Sequence, residues 1–308
     1  QKATEGSDWI IHCAKKDDTR PLYVLVWGLL DDVAQALHDD PSIQEKIRVY
    51  YIGGPNKKWG VNSNAYIEQN FPNLWMIENN STYRGWFVGG NQTGDLGNKA
   101  FVATHIQGHG ALGDFYYNLP KQEVKMGDTP SVGYLLKGNP EDPAAPSWGG
   151  QFAPVHTRPY YIFDRLTTRE DEVEMFGIIE LVFHGPEIDA DQDTPVFTMR
   201  VRGQEFPGYY VGNGEYRIRY SPNNSGEHWY ELFSSIPELD DQLGDFTVIS
   251  EAQESRGRDP QNFPNWWSDL LAPELKDGIH SGTKTVNQWR EDFLRDFQQR
   301  MDLCLPKE

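Results

Sequence analysis

Cysteine is nearly absent from this chain: Cys13 and Cys304 are the only two in 308 residues. They lie near opposite ends, and because Cys is often a small core residue they are read as free thiols rather than a disulfide. Two cysteines cannot complete a zinc site without histidines at suitable spacing. His105 and His109 stand four apart, but no acidic or Cys partner completes a site around them, so both read as loop or core histidines. Basic residues are also scarce, with 28 Lys and Arg against 46 Asp and Glu and a net charge of −18. That balance argues against the phosphate backbone of nucleic acid or an anionic membrane surface as partner. No apolar run approaches the ~18–20 residues of a membrane span. Internal repeats, low-complexity tracts and a signal peptide are missing too. A start at Gln1 rather than Met reads as a mature or trimmed product, and a secreted or periplasmic setting is expected.

What is present is strand, turn and helix in alternation. Leu22 to Trp27 is a short, continuously apolar run, as expected for a strand buried on both faces. It breaks at Gly28, and Asp31-Asp32 opens a helix-like stretch. A second run, Arg48 to Ile52, breaks at Gly53-Gly54-Pro55, and a third, Leu74 to Ile77, ends at Glu78-Asn79-Asn80. This pattern predicts an α/β fold with an open, mostly parallel sheet and crossover helices. Ligands of such sheets bind outside the carboxyl ends of the strands. The polar residues there are therefore candidates: Asp31, Asp32, Asn56, Asn62, Asn64, Glu78, Asn79 and Asn80. Met126-Gly127-Asp128-Thr129-Pro130 adds a lone carboxylate in a turn directly before an apolar, helix-like segment. Helix N-terminal amides can hold such a group ionised, either as a plain cap or facing a cleft.

From Ile178 onward the period changes to two. Ile179, Leu181 and Phe183, then Phe197, Met199 and Val201, then Tyr216, Ile218 and Tyr220 alternate with mostly polar neighbours, and Gly- or Pro-containing turns separate the runs. Short alternating strands at this spacing predict an antiparallel β-sandwich, inserted into the α/β domain. Val286 to Leu303 places Trp289, Phe293, Phe297, Arg300 and Met301 on one face of an amphipathic helix.

Gly28-Leu29-Leu30-Asp31-Asp32, Ile52-Gly53-Gly54, Asn62-Ser63-Asn64 and Gly127-Asp128-Thr129-Pro130 follow one another in the order found in nucleoside hydrolases. The chain resembles more closely the secreted nucleoside-hydrolase-like family of polysaccharide-degrading bacteria, some of whose members are described as cellulose-binding. Arg84-Gly85-Trp86-Phe87, Gly108-His109-Gly110 and Ser147-Trp148-Gly149-Gly150 support the likeness, which covers residues 1–172 and roughly 265–305. Phe206 to Tyr210, Gly214 to Tyr220 and Gly226 to Tyr230 resemble the immunoglobulin-like module found beside glycoside hydrolase domains. The expected organisation is an α/β domain over 1–172 with the family's first strand missing, an immunoglobulin-like sandwich over 173–250, and a linker and C-terminal helix returning over 251–308.

The resemblance implies a glycosidic-bond hydrolase acting on a nucleoside or other glycoside. Asp128 would serve as metal ligand and catalytic carboxylate, and Glu78 as acid or base. Asn62, Asn64, Asn79, Arg84, Trp27, Trp86 and His109 would bind substrate, and Ca²⁺ is the implied ion. Asp128, Glu78, Asn64 and Asp32 are expected to converge at the strand ends. The departures point the other way. Those enzymes open with an aspartate-rich loop that holds Ca²⁺, which this chain, beginning at Gln1, does not include. Asp32 stands where they carry Asn, and Gly127 where they carry a leaving-group His. The alternative is a non-catalytic extracellular glycan-binding protein that keeps a degenerate cleft. Its Trp27 and Trp86 would supply amphipathic faces for sugar rings. Either reading makes a small glycoside or a polysaccharide the partner.

Overall fold

The computed structural model describes residues 2–155, 158–251 and 263–305. The apolar runs form β1 (Leu22–Val26), β2 (Ile47–Ile52) and β3 (Trp75–Asn79), paired in parallel. A short β4 (Phe152–Pro154) joins the same sheet antiparallel, as its edge. The runs are continuous because both sheet faces are covered. Ile47, Val49, Tyr51 and Met76 pack with α1 (Glu5–Ala14), α2 (Asp31–Asp39) and α3 (Val61–Asn70), while Tyr50, Ile52 and Ile77 point the other way. Beyond α4 (Asn98–His105) and α5 (Gly110–Tyr117), α6 (Thr129–Leu136) closes that second face through Tyr134.

The alternating segment forms one eight-stranded sheet rather than a pair of separate sheets. Its strands are β5 (Tyr160–Phe163), β6 (Glu172–Glu174), β7 (Ile178–His184), β8 (Pro195–Val201), β9 (Gln204–Gly212), β10 (Glu215–Tyr220), β11 (Gly226–Ser234) and β12 (Leu243–Ile249). Their spatial order is β5-β7-β10-β9-β8-β11-β12-β6. The sheet folds over a single core, so that Tyr220 of β10 meets Phe246 of β12 at 6.3 Å between ring centroids. It nearly closes, since the backbone N–H of Glu174 on one edge donates to the Tyr161 hydroxyl on the other at 3.3 Å. The β part thus begins at Tyr160, before the boundary expected at 172. β5 and β6 are four and three residues long, too short to display a period.

The chain then returns to the first sheet. β13 (Trp266–Asp269) inserts between β3 and β4, parallel to β3, with Ser268 opposite Glu78. This strand was not legible in the sequence, because four residues reading Trp-Trp-Ser-Asp beside a polar stretch carry no periodicity. The expected C-terminal helix is broken at Gln288-Trp289 into α7 (Lys284–Asn287) and α8 (Arg290–Asp302). Phe293, Leu294 and Met301 of α8 bury against Trp86 and α4. Cys13 and Cys304 are free.

The β sheet docks on the α/β layer through specific contacts. Lys58 Nζ donates to Gln204 Oε1 at 2.7 Å, and the Trp59 indole stacks on Phe206 at 4.9 Å. Close packing inside the β core leaves no room at Gly208, where a Cβ would lie 2.1 Å from the Phe197 ring. Gly208→Ala is therefore expected to destabilise the protein by about 1–3 kcal/mol, read as a lower urea midpoint with an unchanged slope.

Candidate functional site

The carboxyl ends of the parallel strands are built from interlocking turns. The Asp269 carboxylate, at the end of β13, accepts backbone N–H bonds from Asn80 (3.1 Å), Ser81 (2.7 Å) and Thr82 (3.1 Å). Asn80 Oδ1 accepts from the Gly54 N–H at 2.9 Å, and its Nδ2 donates to Glu78 at 3.1 Å. Gly54 is needed there, since its φ is +48° and a Cβ would lie 2.6 Å from the Asn80 carbonyl oxygen. Asn79 donates to the Tyr50 hydroxyl at 2.8 Å and accepts from the Tyr83 N–H at 2.9 Å. Asn79 and Asn80 thus spend their amides on holding the β3 turn in shape. Burial pushes Asp269 up to about 6, against the amides that pull it down.

Glu78 is fully buried at the centre of an ion cluster. Lys57 Nζ lies 3.2 Å from Glu78 and 3.5 Å from Glu68, and Arg158 pairs with Glu78 through Nη2 and with Glu68 through Nε at 3.6 Å. Burial alone would raise the Glu78 carboxyl, but Arg158 and Lys57 outweigh it and hold it down to about 2. A carboxylate held in this way is ionised at any physiological pH and enclosed by protein.

Asp128 stands differently. It occupies the residue before α6 without making a side-chain cap, it is half-buried, and burial raises its carboxyl. The Trp27 indole N–H donates to Ser131 Oγ at 2.8 Å, and Ser131 Oγ donates to the Asp128 carbonyl oxygen at 2.8 Å. This chain of bonds pins the end of β1 to the start of α6 while leaving Trp27 54% exposed. Burial raises the Tyr83 hydroxyl, Arg84 opposes it, and Asp269 and Asp128 lie close enough to add to it. Arg84 sits 4.7 Å over the Tyr83 ring and donates to the Asn80 carbonyl at 3.3 Å. His280, after β13, has its imidazole pushed down by burial and by Arg84. The end of β1 thus presents an exposed indole tied to the turn that carries Asp128, while Arg84 lies against the β3 turn with His280 near it.

The other predicted residues lie elsewhere. Trp86 is buried, its ring stacked on Phe293 at 3.8 Å and 11°, so it offers no open face. His109 contacts Asp302 at 3.2 Å and the Gln107 carbonyl, tying α5 to the end of α8. Asn64 donates to the Gly60 carbonyl at 3.0 Å inside α3. Asn62 accepts from Arg219 of the β sheet at 3.1 Å. Asp32 accepts from the Thr4 hydroxyl at 2.6 Å, beside the start of α1. Asn64 and Glu78 both border the Tyr51 hydroxyl, whereas Asp32 bonds at the start of α1 and Asp128 stands before α6. His105, read as a loop or core histidine, pairs with Asp95 at 2.7 Å. Ser131, Asp269 and His280 were missed in the sequence. Asp269 carries the same signal as Glu78, a polar residue at a strand's carboxyl end, but on a strand too short to recognise.

Ca²⁺ takes six to eight oxygen ligands, with several carboxylates round one ion. Among the described residues no three His, Cys, Asp or Glu side chains gather round one point.

A mostly parallel sheet with helices on both faces and a β module inserted before the last parallel strand defines a mixed α/β protein. Residues 1–152 match the family model described as "Cellulose-binding Sde182, nucleoside hydrolase-like domain", and this part of the chain is a domain of that family. Residues 172–235 match "Domain of unknown function (DUF5060)". No curated protein matches the chain. Among solved structures, a nucleoside hydrolase-related hypothetical protein from Saccharophagus degradans, described as associated with carbohydrate metabolism, is 16% identical, with 80% of this chain and 75% of that one covered and a TM-score of 0.39. A "putative glycoside hydrolase" from Bacteroides vulgatus is 32% identical over 27% of this chain and 17% of its own, with a TM-score of 0.24.

Proposed function

We propose that this chain binds a neutral, cellulose-like glycan at the strand-end cleft and does not cleave it, in a secreted or periplasmic setting. The observation that carries this reading is the Trp27 indole, held in place by Ser131 yet more than half exposed at the turn that carries Asp128. A fixed aromatic face loses little entropy on stacking against a sugar ring, and a neighbouring carboxylate and guanidinium match its hydroxyls. The cellulose-binding description of the domain family supports the ligand class. The inserted β sheet is proposed as an accessory module of the immunoglobulin-like kind found beside glycoside hydrolases. Glycoside hydrolysis uses two carboxyl groups flanking the scissile bond. Here Glu78 is enclosed between Lys57 and Arg158, paired as a buried ion rather than left free to donate or accept a proton.

Trp27→Ala is expected to weaken cellohexaose binding about tenfold, the equivalent of an aromatic contact, with a loss of stability of only about 1 kcal/mol from the missing Ser131 bond. Calorimetric titration measures it, and unchanged affinity would reject the reading. One observation favours hydrolysis instead: the Asp128 carboxyl is raised by burial, as a proton donor requires. Assays with inosine, uridine and aryl glycosides, with and without Ca²⁺, separate the two. Turnover that falls ~10²–10⁴-fold in Asp128→Asn would establish the hydrolase.

A further inference from the structure

A second cavity, of about 570 Å³, opens between the outer face of the β sheet and the start of α3. Its size lies within the ~300–1,000 Å³ of small-ligand sites. The floor follows from strand alternation. Tyr209 of β9 and Arg217 of β10 are directly paired across the ladder, and Arg219 stands opposite Glu180 of β7, so all four side chains share the outward face. Gln192 and Asp193, from the loop between β7 and β8, form one wall, and Asn62 at the start of α3 forms the other.

The floor is held rigidly from behind. Glu180 pairs with Arg217 Nε at 3.0 Å and with Arg219 Nε at 2.7 Å. Arg219 also donates to the Tyr160 hydroxyl at 2.9 Å and to Asn62 Oδ1 at 3.1 Å, which ties floor to wall. Arg217 Nη2 donates to Glu215 at 3.0 Å. What remains for a ligand is a mixed set: the Gln192 amide, the Asp193 carboxylate, the Asn62 Nδ2 and the Tyr209 ring and hydroxyl. Among the described residues none of these groups hydrogen-bonds to another protein group.

Charge decides the class of ligand. Two guanidinium groups face three carboxylates, those of Glu180, Glu215 and Asp193, so the site is slightly negative and does not attract a uronate or phosphate. Donors and acceptors set side by side around a half-buried tyrosine suit vicinal hydroxyl groups on a ring with an apolar face. We propose that this interdomain cavity is a second glycan subsite, taking one or two units of a neutral oligosaccharide, separate from the Trp27 cleft. Because Asn62 and Arg219 come from different domains, an occupant also bridges them.

The test uses the full chain carrying Trp27→Ala, so that binding at the strand-end cleft is weakened about tenfold and the second subsite dominates. Calorimetry with cellohexaose, xylohexaose and mannohexaose is expected to retain one binding event with at least one of them. Adding Tyr209→Ala should weaken it about tenfold, and adding Gln192→Ala about threefold. Both side chains face outward without protein partners, so circular dichroism and melting temperature should not change. Unaltered affinity in both double variants would overturn the proposal. So would absence of neutral-oligosaccharide binding in the Trp27→Ala chain, or a preference for hexagalacturonate. If wild type and Trp27→Ala bind alike and only Tyr209→Ala weakens binding, this subsite stands and the cleft reading falls.

Discussion

Replacing Arg158 with alanine is expected to cost about 3–5 kcal/mol of stability at neutral pH, the effect of leaving buried charge uncompensated. Arg158 and Lys57 together neutralise Glu78 and Glu68, and all four side chains are buried. Without Arg158, Glu78 and Glu68 face one ammonium in a low-dielectric setting, with the Glu251 carboxyl, pushed well up by burial, beside them. The sign of the pH dependence follows. In the wild type Glu78 titrates at about 2, below its ordinary 4.5. Its contribution is therefore present above about 4.5 and is lost as pH falls toward 2. In the variant, protonation relieves the stranded charge, so the gap to wild type should narrow between pH 7 and pH 4. Urea unfolding at both pH values measures this. A loss under 1 kcal/mol at pH 7 would show that solvent reaches the cluster. Replacing the cluster by apolar residues of similar volume should be far milder than removing one member.

Asp269→Ala is expected to cost at least about 3 kcal/mol, since three buried amide donors lose their acceptor and each such loss is worth ~1–3 kcal/mol. Asp269→Asn keeps one acceptor oxygen and should cost less. Here the pH sign is reversed. Burial holds the folded-state carboxyl up near 6, above its ordinary 3.8, so its contribution is complete below about 3.8 and is lost as pH rises through about 6. The destabilisation by Asp269→Ala should thus be largest in acid and shrink above pH 6, opposite to the Arg158 variant. The same turn carries Tyr83 and Arg84 to the cleft. Loss of the Asp269 acceptor should therefore also weaken cellohexaose binding, which Gly208→Ala should leave alone.

The strands with a strong local pattern were legible. β1, β2 and β3 read as apolar runs because helices cover both faces of their sheet, and β7, β8 and β10 alternate because one face meets the β core and the other meets solvent or α3. β5, β6 and β13 were not, since three or four residues fix no period and their place is set by the strand they pair with. The candidate site divides in the same way. Glu78 and Asn79 were found as strand-end polar residues, and Asp128 as a turn carboxylate before a helix. Their roles depend on neighbours remote in the chain. Arg158 reaches Glu78 across 80 positions, Ser131 reaches Trp27 across 104, and Asp269 reaches the β3 turn across nearly 190.

The amino-acid sequence by itself determined the two kinds of layer, the order of the main elements and the residues at the parallel strands' carboxyl ends, because these follow from periodicity and turn chemistry within a few residues. Only the tertiary structure decided which of those residues are left exposed and which are enclosed. Trp27 and Trp86 are both tryptophans at turns, yet Ser131 holds one in the open while Phe293 covers the other. The difference is contact between segments far apart in the chain, and no local pattern encodes it.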